Sequence, residues 1–524
     1  MSSEDINTPK MIDDSNDHEI HKIFNDFSSC FNLKTANIND INNSDILCSD
    51  NYLSEKISLE EVKRKISNEE KISFEFADSI VFIIEDNTKD LSNDNIICLA
   101  KKYASFFQYV IQHFSNANDL CITNGLENVP DSCFLFHIYK NLKSTNIKSI
   151  RSFSLEEIVD YAMKYDFLNS NIFDGFERFN EISINLHSCE FLKNLQNIDE
   201  HINNFLSYIS RDKSVTLNIC IEEKEGDDSP ITYALKILNL SKTFSLNVKI
   251  EDSSDWSKYL KENNYEFNDE TTKIKNETIS AALFIDGVND LQTIKIILTS
   301  MNKLEKIIFY INESIPKMIY EEYKSLEESK IYLNKLFNYK SNLKYLTNVR
   351  ISFKRRRYSE DDMDAENLQY LHDYMLDCII SVLPSSISKV LYLMELDFLP
   401  LQTFNKISSQ FSSLTTLSFL LCYNIPENAL FQLPSLKNVV FNGERKVNIP
   451  PWIEIVLFLY FDIDFYYPDD IFSDGKKNEH YFNLMNRNFN VSLRCLREKD
   501  IFFIAFMNDF NKRMEIADLI NIGY

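Results

Sequence analysis

The residues able to do chemistry are few and widely spaced. Eight histidines occur among 524 residues. His18 and His21 stand in His-Glu-Ile-His, one residue short of the His-Glu-x-x-His spacing that sets two imidazoles one helical turn apart on a zinc ion. His187 and Cys189 lie two apart after an apolar run and supply half of a metal site, with no second pair to complete it. The ten cysteines never come closer than the 12 residues between Cys121 and Cys133, so no zinc knuckle and no redox Cys-x-x-Cys occurs. No Gly-x-Ser-x-Gly elbow is present. Glycine is scarce, with 7 residues where an average chain of this length would hold roughly 7%. They are Gly125, Gly175, Gly226, Gly287, Gly443, Gly475 and Gly523. A phosphate-binding loop needs two or three glycines within about eight residues, so that backbone N–H groups can approach the phosphate. That excludes the P-loop, the kinase glycine loop and the dinucleotide turn. The sequence assigns no catalytic, cofactor-binding or metal-ligating residue, and the expectation is a protein that is not an enzyme.

Charge narrows the partners. Lys and Arg number 55 against 79 Asp and Glu, a formal charge of −24. Nucleic acid is therefore not expected as a partner. The one basic run, Lys354 to Arg357, is followed by Glu360, Asp361, Asp362 and Asp364 and reads as a self-neutralising loop, with a nuclear-import or nucleic-acid patch as the other reading. The stretch Met1 to His18 has no apolar core, and the apolar run Ile455 to Phe461 is far short of the ~20 residues of a membrane span. No membrane partner is expected. Scattered cysteines in apolar surroundings, such as Cys98 in Ile96-Ile97-Cys98-Leu99, read as small buried hydrophobes of a reduced, intracellular protein. The expected compartment is the cytoplasm, with the nucleus left open. Trp256 and Trp452, the only tryptophans, read as core residues or interface anchors.

The elements that must position any site fall into three stretches. Residues 1–69 are acidic and rich in Asn, Asp and Ser; they read as a largely disordered tail with one short helix near 19–33. Residues 70–180 read as a small α/β module. Ser79 to Ile84 is a buried strand. Ile97, Ala100, Ala104, Phe107, Ile111 and Phe114 share one helical face. Asp119 to Thr123 is a second strand, and a helix after Pro130 carries Phe134, Ile138 and Leu142. Ser154 to Glu157 is a capping box, with Phe153 and Ile158 in the staple positions. A last helix is expected over 168–179.

This order, with Ser105-Phe106-Phe107 ending the helix, Leu120-Cys121-Ile122 as the strand, and the stretches 127–144 and 154–179, resembles the BTB/POZ fold. A shorter stretch, residues 76–84 followed by Ile96, Leu99, Lys101 and Tyr103, resembles an F-box, with Ala77 in place of its proline. The first resemblance implies self-association through 70–180 and docking onto a cullin scaffold. The second implies docking through a Skp-family linker without self-association.

Residues 181–524 repeat a phrase, apolar-x-x-apolar-x-apolar. It occurs as Phe179/Ile182/Ile184, Ile279/Ala282/Phe284, Leu304/Ile307/Phe309, Leu346/Val349/Ile351, Ile387/Val390/Tyr392, Leu414/Leu417/Phe419 and Leu436/Val439/Phe441, with weaker copies from Ser214 and Ser245. Helices are expected between copies, over 191–209, 229–241, 316–338 and 364–383. Leu304 to Asn312 and Leu414 to Cys422 resemble the leucine-rich repeat, in which Asn or Cys bonds backbone groups in the turn. The expected fold is α/β: a small BTB-like module followed by an irregular leucine-rich-repeat-like horseshoe, closed by a polar cap over 473–490. The expected function is non-enzymatic protein–protein interaction, as a substrate-recognition adaptor of a cullin-type ubiquitin ligase that also binds an unknown target protein. The alternatives are an F-box adaptor or a repeat-based scaffold with no ubiquitin role.

Overall fold

A computed structural model describes residues 79–84, 93–112, 117–124, 132–186, 191–211, 215–221, 229–341, 343–354, 365–396, 399–422, 424–442, 447–461, 491–497 and 501–507. The readings placed on the tail 1–69, on the loop arginines 355–357 and on the cap 473–490 lie outside these residues. The protein is α/β and divides into two compact units at Asn180/Glu181, with Phe153–Glu156 counted in the second.

The first unit alternates β1 (Ser79–Ile84), α1 (Asn93–Ile111), β2 (Asp119–Asn124), α2 (Ser132–Lys140), β3 (Ser149–Ser154) and α3 (Leu155–Lys164). Its strands are parallel and in chain order, with Ile80 opposite Leu120 and Leu120 opposite Ile150. On α1 the buried stripe is Ile96, Ala100, Tyr103, Ala104, Phe107 and Ile111. Phe82 stacks on Phe107 at 3.8 Å, and Tyr103 meets Phe134 of α2 edge-on at 5.5 Å. Cys98 lies on the outer side of α1 and is exposed, which corrects its reading as a buried hydrophobe. Helix α3 begins at Leu155, directly after the Ser154 expected to cap it, and both staple residues are buried.

Strand β3 was hidden from the sequence by its spacing, since Ile147, Ile150 and Phe153 recur every third residue rather than every second. The helix expected over 168–179 does not form. A 3-10 turn, Phe167–Asn169, is capped by Asp166 and ends before Asn171, which takes a left-handed φ of 52°. The chain then crosses back: the Ser144 N–H donates to the Gly175 carbonyl at 2.9 Å, and the Ser144 carbonyl accepts from the Glu177 N–H at 3.0 Å. Ile172, Phe173 and Phe176 are buried without a helix, so their i+4 spacing reflected burial alone.

The second unit continues the same alternation. It runs β4 (Glu181–Leu186), α4 (Ile198–Ile209), β5 (Thr216–Ile221), α5 (Ser229–Thr243), β6 (Asn247–Asp255), α6 (Trp256–Glu262), α7 (Asp269–Glu277), β7 (Thr278–Ile285), α8 (Leu291–Ser300) and β8 (Lys306–Asn312). It goes on through α9 (Ile315–Tyr323), α10 (Leu326–Leu336), β9 (Asn348–Lys354), α11 (Ala365–Val382), β10 (Val390–Met394), α12 (Leu401–Gln410), β11 (Thr416–Leu420), β12 (Asn438–Asn442) and β13 (Ile455–Phe461). Every strand from β4 to β13 pairs parallel with the next. The sheet is large and open, and it ends in an antiparallel pair, β15 (Ile501–Met507) against β13 and β14 (Val491–Arg497) against β15.

Two rows of apolar side chains cross this sheet. One runs Ile307, Val349, Leu391, Leu417, Val439, Val456; the other runs Phe309, Ile351, Leu393, Phe419, Phe441, Phe458. All are buried. Successive strands that join in one direction through right-handed crossovers place their helices on one face. The helices accordingly touch their sequence neighbours in series, from α9 through α10 and α11 to α12.

Two details correct the expected phrase. In β7 the row continues through Ala281 and Leu283, one residue earlier than the sequence placed it, and in β10 through Leu391 and Leu393, one residue later. Val390 to Leu393 are all buried, so period-2 alternation gave no register there. Two expected helices are each broken. Asn197 (φ 61°) separates a 3-10 turn, Phe191–Asn194, from α4, and Lys324 (φ 60°) separates α9 from α10.

Asn312 and Cys422 bond backbone as expected. Asn312 Oδ1 accepts the Ser314 N–H at 3.0 Å, and Cys422 Sγ donates to the Leu393 carbonyl at 3.3 Å. A recurrent backbone clasp precedes the strands. One carbonyl, of Glu305 before β8, accepts from both Thr347 and Asn348, and Thr415 serves Lys437 and Asn438 in the same way. In the first unit, Asn118 serves Lys148 and Ser149.

Candidate functional site

Strand order decides where a site can form. Open α/β enzymes bind ligands where the strand order reverses and adjacent loops part. From β4 to β13 the order never reverses, so among the described residues the strand order opens no such crevice. What the order leaves is the face of the sheet opposite the buried rows.

That face has two halves. On β10–β12 its residues Tyr392, Thr416, Ser418, Asn438 and Val440 are buried. On β8 the pattern is open: Ile307, Phe309 and Ile311 are buried while Lys306 is exposed and Ile308, Tyr310 and Asn312 are half-exposed. Arg350 of β9 sits where the open half meets the closed one. Its guanidinium carbon lies 5.9 Å from the Tyr310 ring and 5.7 Å from the Tyr392 ring, within cation–π reach of both. Its terminal nitrogen lies 2.8 Å from Met394 Sδ. Phe284 stacks on Tyr310 at 4.5 Å. Ser352 donates to Glu395 Oε2 at 3.2 Å, and Glu395 holds a left-handed φ of 61°.

The electrostatics follow from this packing. Desolvation lowers the Lys306 ammonium pKa, Glu251 opposes that and Arg350 adds to it. Glu251 in turn accepts from Asn218 at 2.8 Å. Burial drives the Tyr392 phenol far above its ordinary range, against the nearby Arg350 charge and the Ser418 hydroxyl. Tyr392 is thus a neutral, apolar wall. The arrangement can hold an anion and an apolar side chain together.

A second polar group lies at the ends of β6 and β7. Asp255 caps α6 by accepting the Ser257 N–H at 2.9 Å, and it also accepts from Phe284 at 3.1 Å. Burial raises its pKa, the backbone N–H donors lower it and Asp286 raises it again. Its contacts are those of a structural cap. Among the described residues, no group of His, Cys, Asp or Glu could hold a metal ion.

Of the residues singled out in the sequence, His18, His21, His187 and Cys189 lie outside the described residues. Trp256 is buried between Tyr259 and Phe267, a core position. Trp452 is half-buried, donates to the Leu433 carbonyl at 3.1 Å and meets Phe431, itself 44% exposed. Sequence reasoning did not single out Lys306, Tyr310 or Arg350. The signal was the polar residue at the last x of the phrase, as in Val349-Arg350-Ile351.

The order and the open face define a class: an α/β protein built on an open, sequentially wound parallel sheet. The chain belongs to the family described as a domain of unknown function, DUF8346, which matches residues 22–520 and so takes in both units. No curated protein matches it. Among the described residues, no helix is long and apolar enough to cross a membrane.

Proposed function

We propose that the strand–helix series is an irregular leucine-rich-repeat-like solenoid and that the protein is a non-enzymatic interaction protein. It binds another protein on the open half of the sheet face, and Lys249, Lys306 and Tyr310 belong to that surface. The observation that carries this reading is the unreversed strand order, which yields an extended face and, among the described residues, opens no crevice. Half-exposed aromatic and cationic side chains on that face have the composition of a contact surface.

Within this reading, the resemblance of residues 70–180 to BTB/POZ makes a cullin scaffold the first partner to test. The F-box resemblance makes it a cullin through a Skp-family linker. The full chain is immobilised and offered a purified cullin N-terminal domain, with and without the linker, and its mass is taken by light scattering. Direct capture by a dimer supports the BTB adaptor, and capture by a monomer only through the linker supports the F-box adaptor. Capture by neither removes the ubiquitin role and leaves the repeat scaffold. The interaction reading itself is tested by cross-linking in a lysate with a lysine-reactive reagent. Cross-links from Lys249 and Lys306 to one partner are expected; their absence, with partners mapped to the helical face alone, overturns it.

A further inference from the structure

No strand from β7 to β15 carries an acidic residue, and from β7 to β13 the charged strand residues are cations confined to β8 and β9. β7 (Thr278–Ile285) and β10 (Val390–Met394) carry no charged residue, and the charged residues of β8 and β9 are Lys306, Arg350 and Lys354, all cationic. Four adjacent strands thus hold no carboxylate in a protein with 79 of them. Glu251 on β6 and Glu395 after β10 stand at the borders, each already accepting a hydrogen bond, from Asn218 and Ser352. Lys306 makes no ion pair among the described residues.

Ile308 lies directly opposite Arg350 in the ladder, and Lys306 lies opposite Asn348, two residues before it. The two cations therefore sit on adjacent strands ~4.8 Å apart along the sheet, offset by one step of about 7 Å along the strand. Beside them, half-exposed Ile308 and the stacked Phe284–Tyr310 pair offer an apolar floor. The step between alternate residues of an extended chain is also about 7 Å, and such a chain turns successive side chains to opposite sides.

We infer that this patch binds an acidic, extended segment of a separate protein, setting carboxylates on Lys306 and Arg350 and an apolar side chain on Phe284, Ile308 and Tyr310. The inference rests on the interaction reading above and names the chemistry of its partner. Charge complementarity selects the occupant, since a cationic patch on a chain of charge −24 favours an acidic visitor and repels copies of the chain as a whole.

The test is fluorescence anisotropy on the full chain with a labelled peptide of about twelve residues, Glu-Ser-Glu-Ser-Leu-Ser repeated, which turns Glu, Glu and Leu to one side, against the same peptide with Lys for Glu. The acidic peptide should bind at least about tenfold more tightly, and weaken between about 50 mM and about 300 mM salt. Lys306→Glu, at an exposed position, and Arg350→Gln should each reduce binding several-fold. Lys335→Glu, on α10, should leave it unchanged. Thermal unfolding of each variant shows that the fold persists.

Equal binding of the two peptides, no binding of the acidic one, or binding indifferent to Lys306→Glu would overturn the inference. If only a chain lacking residues 1–21, with its six acidic residues and one lysine, binds the acidic peptide, the occupant is the protein's own terminus and the separate partner is overturned. Failure here with cross-links from Lys249 to a partner intact would leave the interaction reading standing.

Discussion

Asp377 shows how a single side chain can set the acid response of a helix. It sits half-buried on α11, accepting the Thr403 hydroxyl of α12 at 3.0 Å. Burial raises its pKa, the Thr403 bond and Lys406 lower it, and Asp373 raises it. A carboxyl whose folded pKa lies above its unfolded value binds more protons folded than unfolded. Stability then falls as pH rises from the unfolded value, about 3.9, through the folded one. Asp377→Asn keeps the acceptor for Thr403 and removes the charge. We expect it to raise the urea midpoint at pH 7, with the gain shrinking to nothing towards pH 3.5. A midpoint that drops at pH 7 would show that the carboxylate charge is needed. At this scale the sequence was partly legible. Asn312 and Cys422 were identified as turn-bonding residues because the phrase fixes their position. Cys98 was misjudged because its four-residue window is apolar, whereas burial on a helix depends on the angular position, which the window ignores.

At the scale of elements, one glycine and one row of rings carry the packing. A β-carbon on Gly175 would lie 2.0 Å from the Leu142 carbonyl oxygen, a backbone atom that cannot swing aside. Gly175→Ala must therefore open the Ser144–Gly175 crossing. We expect a loss of about 1–3 kcal/mol or more, read from the denaturation midpoint. A loss below about 0.5 kcal/mol would mean that the crossing is loose. The row is Phe404, Phe419, Phe441 and Phe458, with the last three nearly parallel at 5.5 and 5.6 Å. Helices and strands with strong periodicity, such as α1 and β8, could be read from the chain. The register of β10 could not, because a strand buried on both faces has no alternation to read, and in β7 the apolar Ala282 and Phe284 of the open face mimicked the buried set Ala281 and Leu283. The missing helix at 168–179 failed for a related reason: burial of Ile172 and Phe176 mimicked a helical face while Asn171 and Gly175 set the backbone.

For the molecule as a whole, the ladder confines damage. In the second unit each strand from β5 to β12 pairs only with its predecessor and successor, so stability adds up from neighbours. Phe441→Ala in β12 should cost about 3–5 kcal/mol locally. Hydrogen exchange by mass spectrometry should then accelerate in β11–β13 and leave β4–β5 protected. Uniform acceleration across the unit would show that it unfolds as one block. The repeated phrase made the strand order foreseeable. The patch around Arg350 was not, because it joins single residues from strands far apart in sequence, and only the register brings them side by side.

The backbone clasp, one carbonyl shared by two successive N–H groups before a strand, has a consequence for how such a chain changes over time. Before β3, β9, β12 and β13 it ties the new strand to the one before it. A sheet made this way has no closing seam at which its last strand must meet its first. Duplicating or deleting one strand–helix phrase moves everything beyond it by about 4.8 Å along the sheet and breaks no distant pairing. Length is therefore a free variable of this architecture, and the helical segments, from the single α12 to the pair α9–α10, already show how much change the connections absorb.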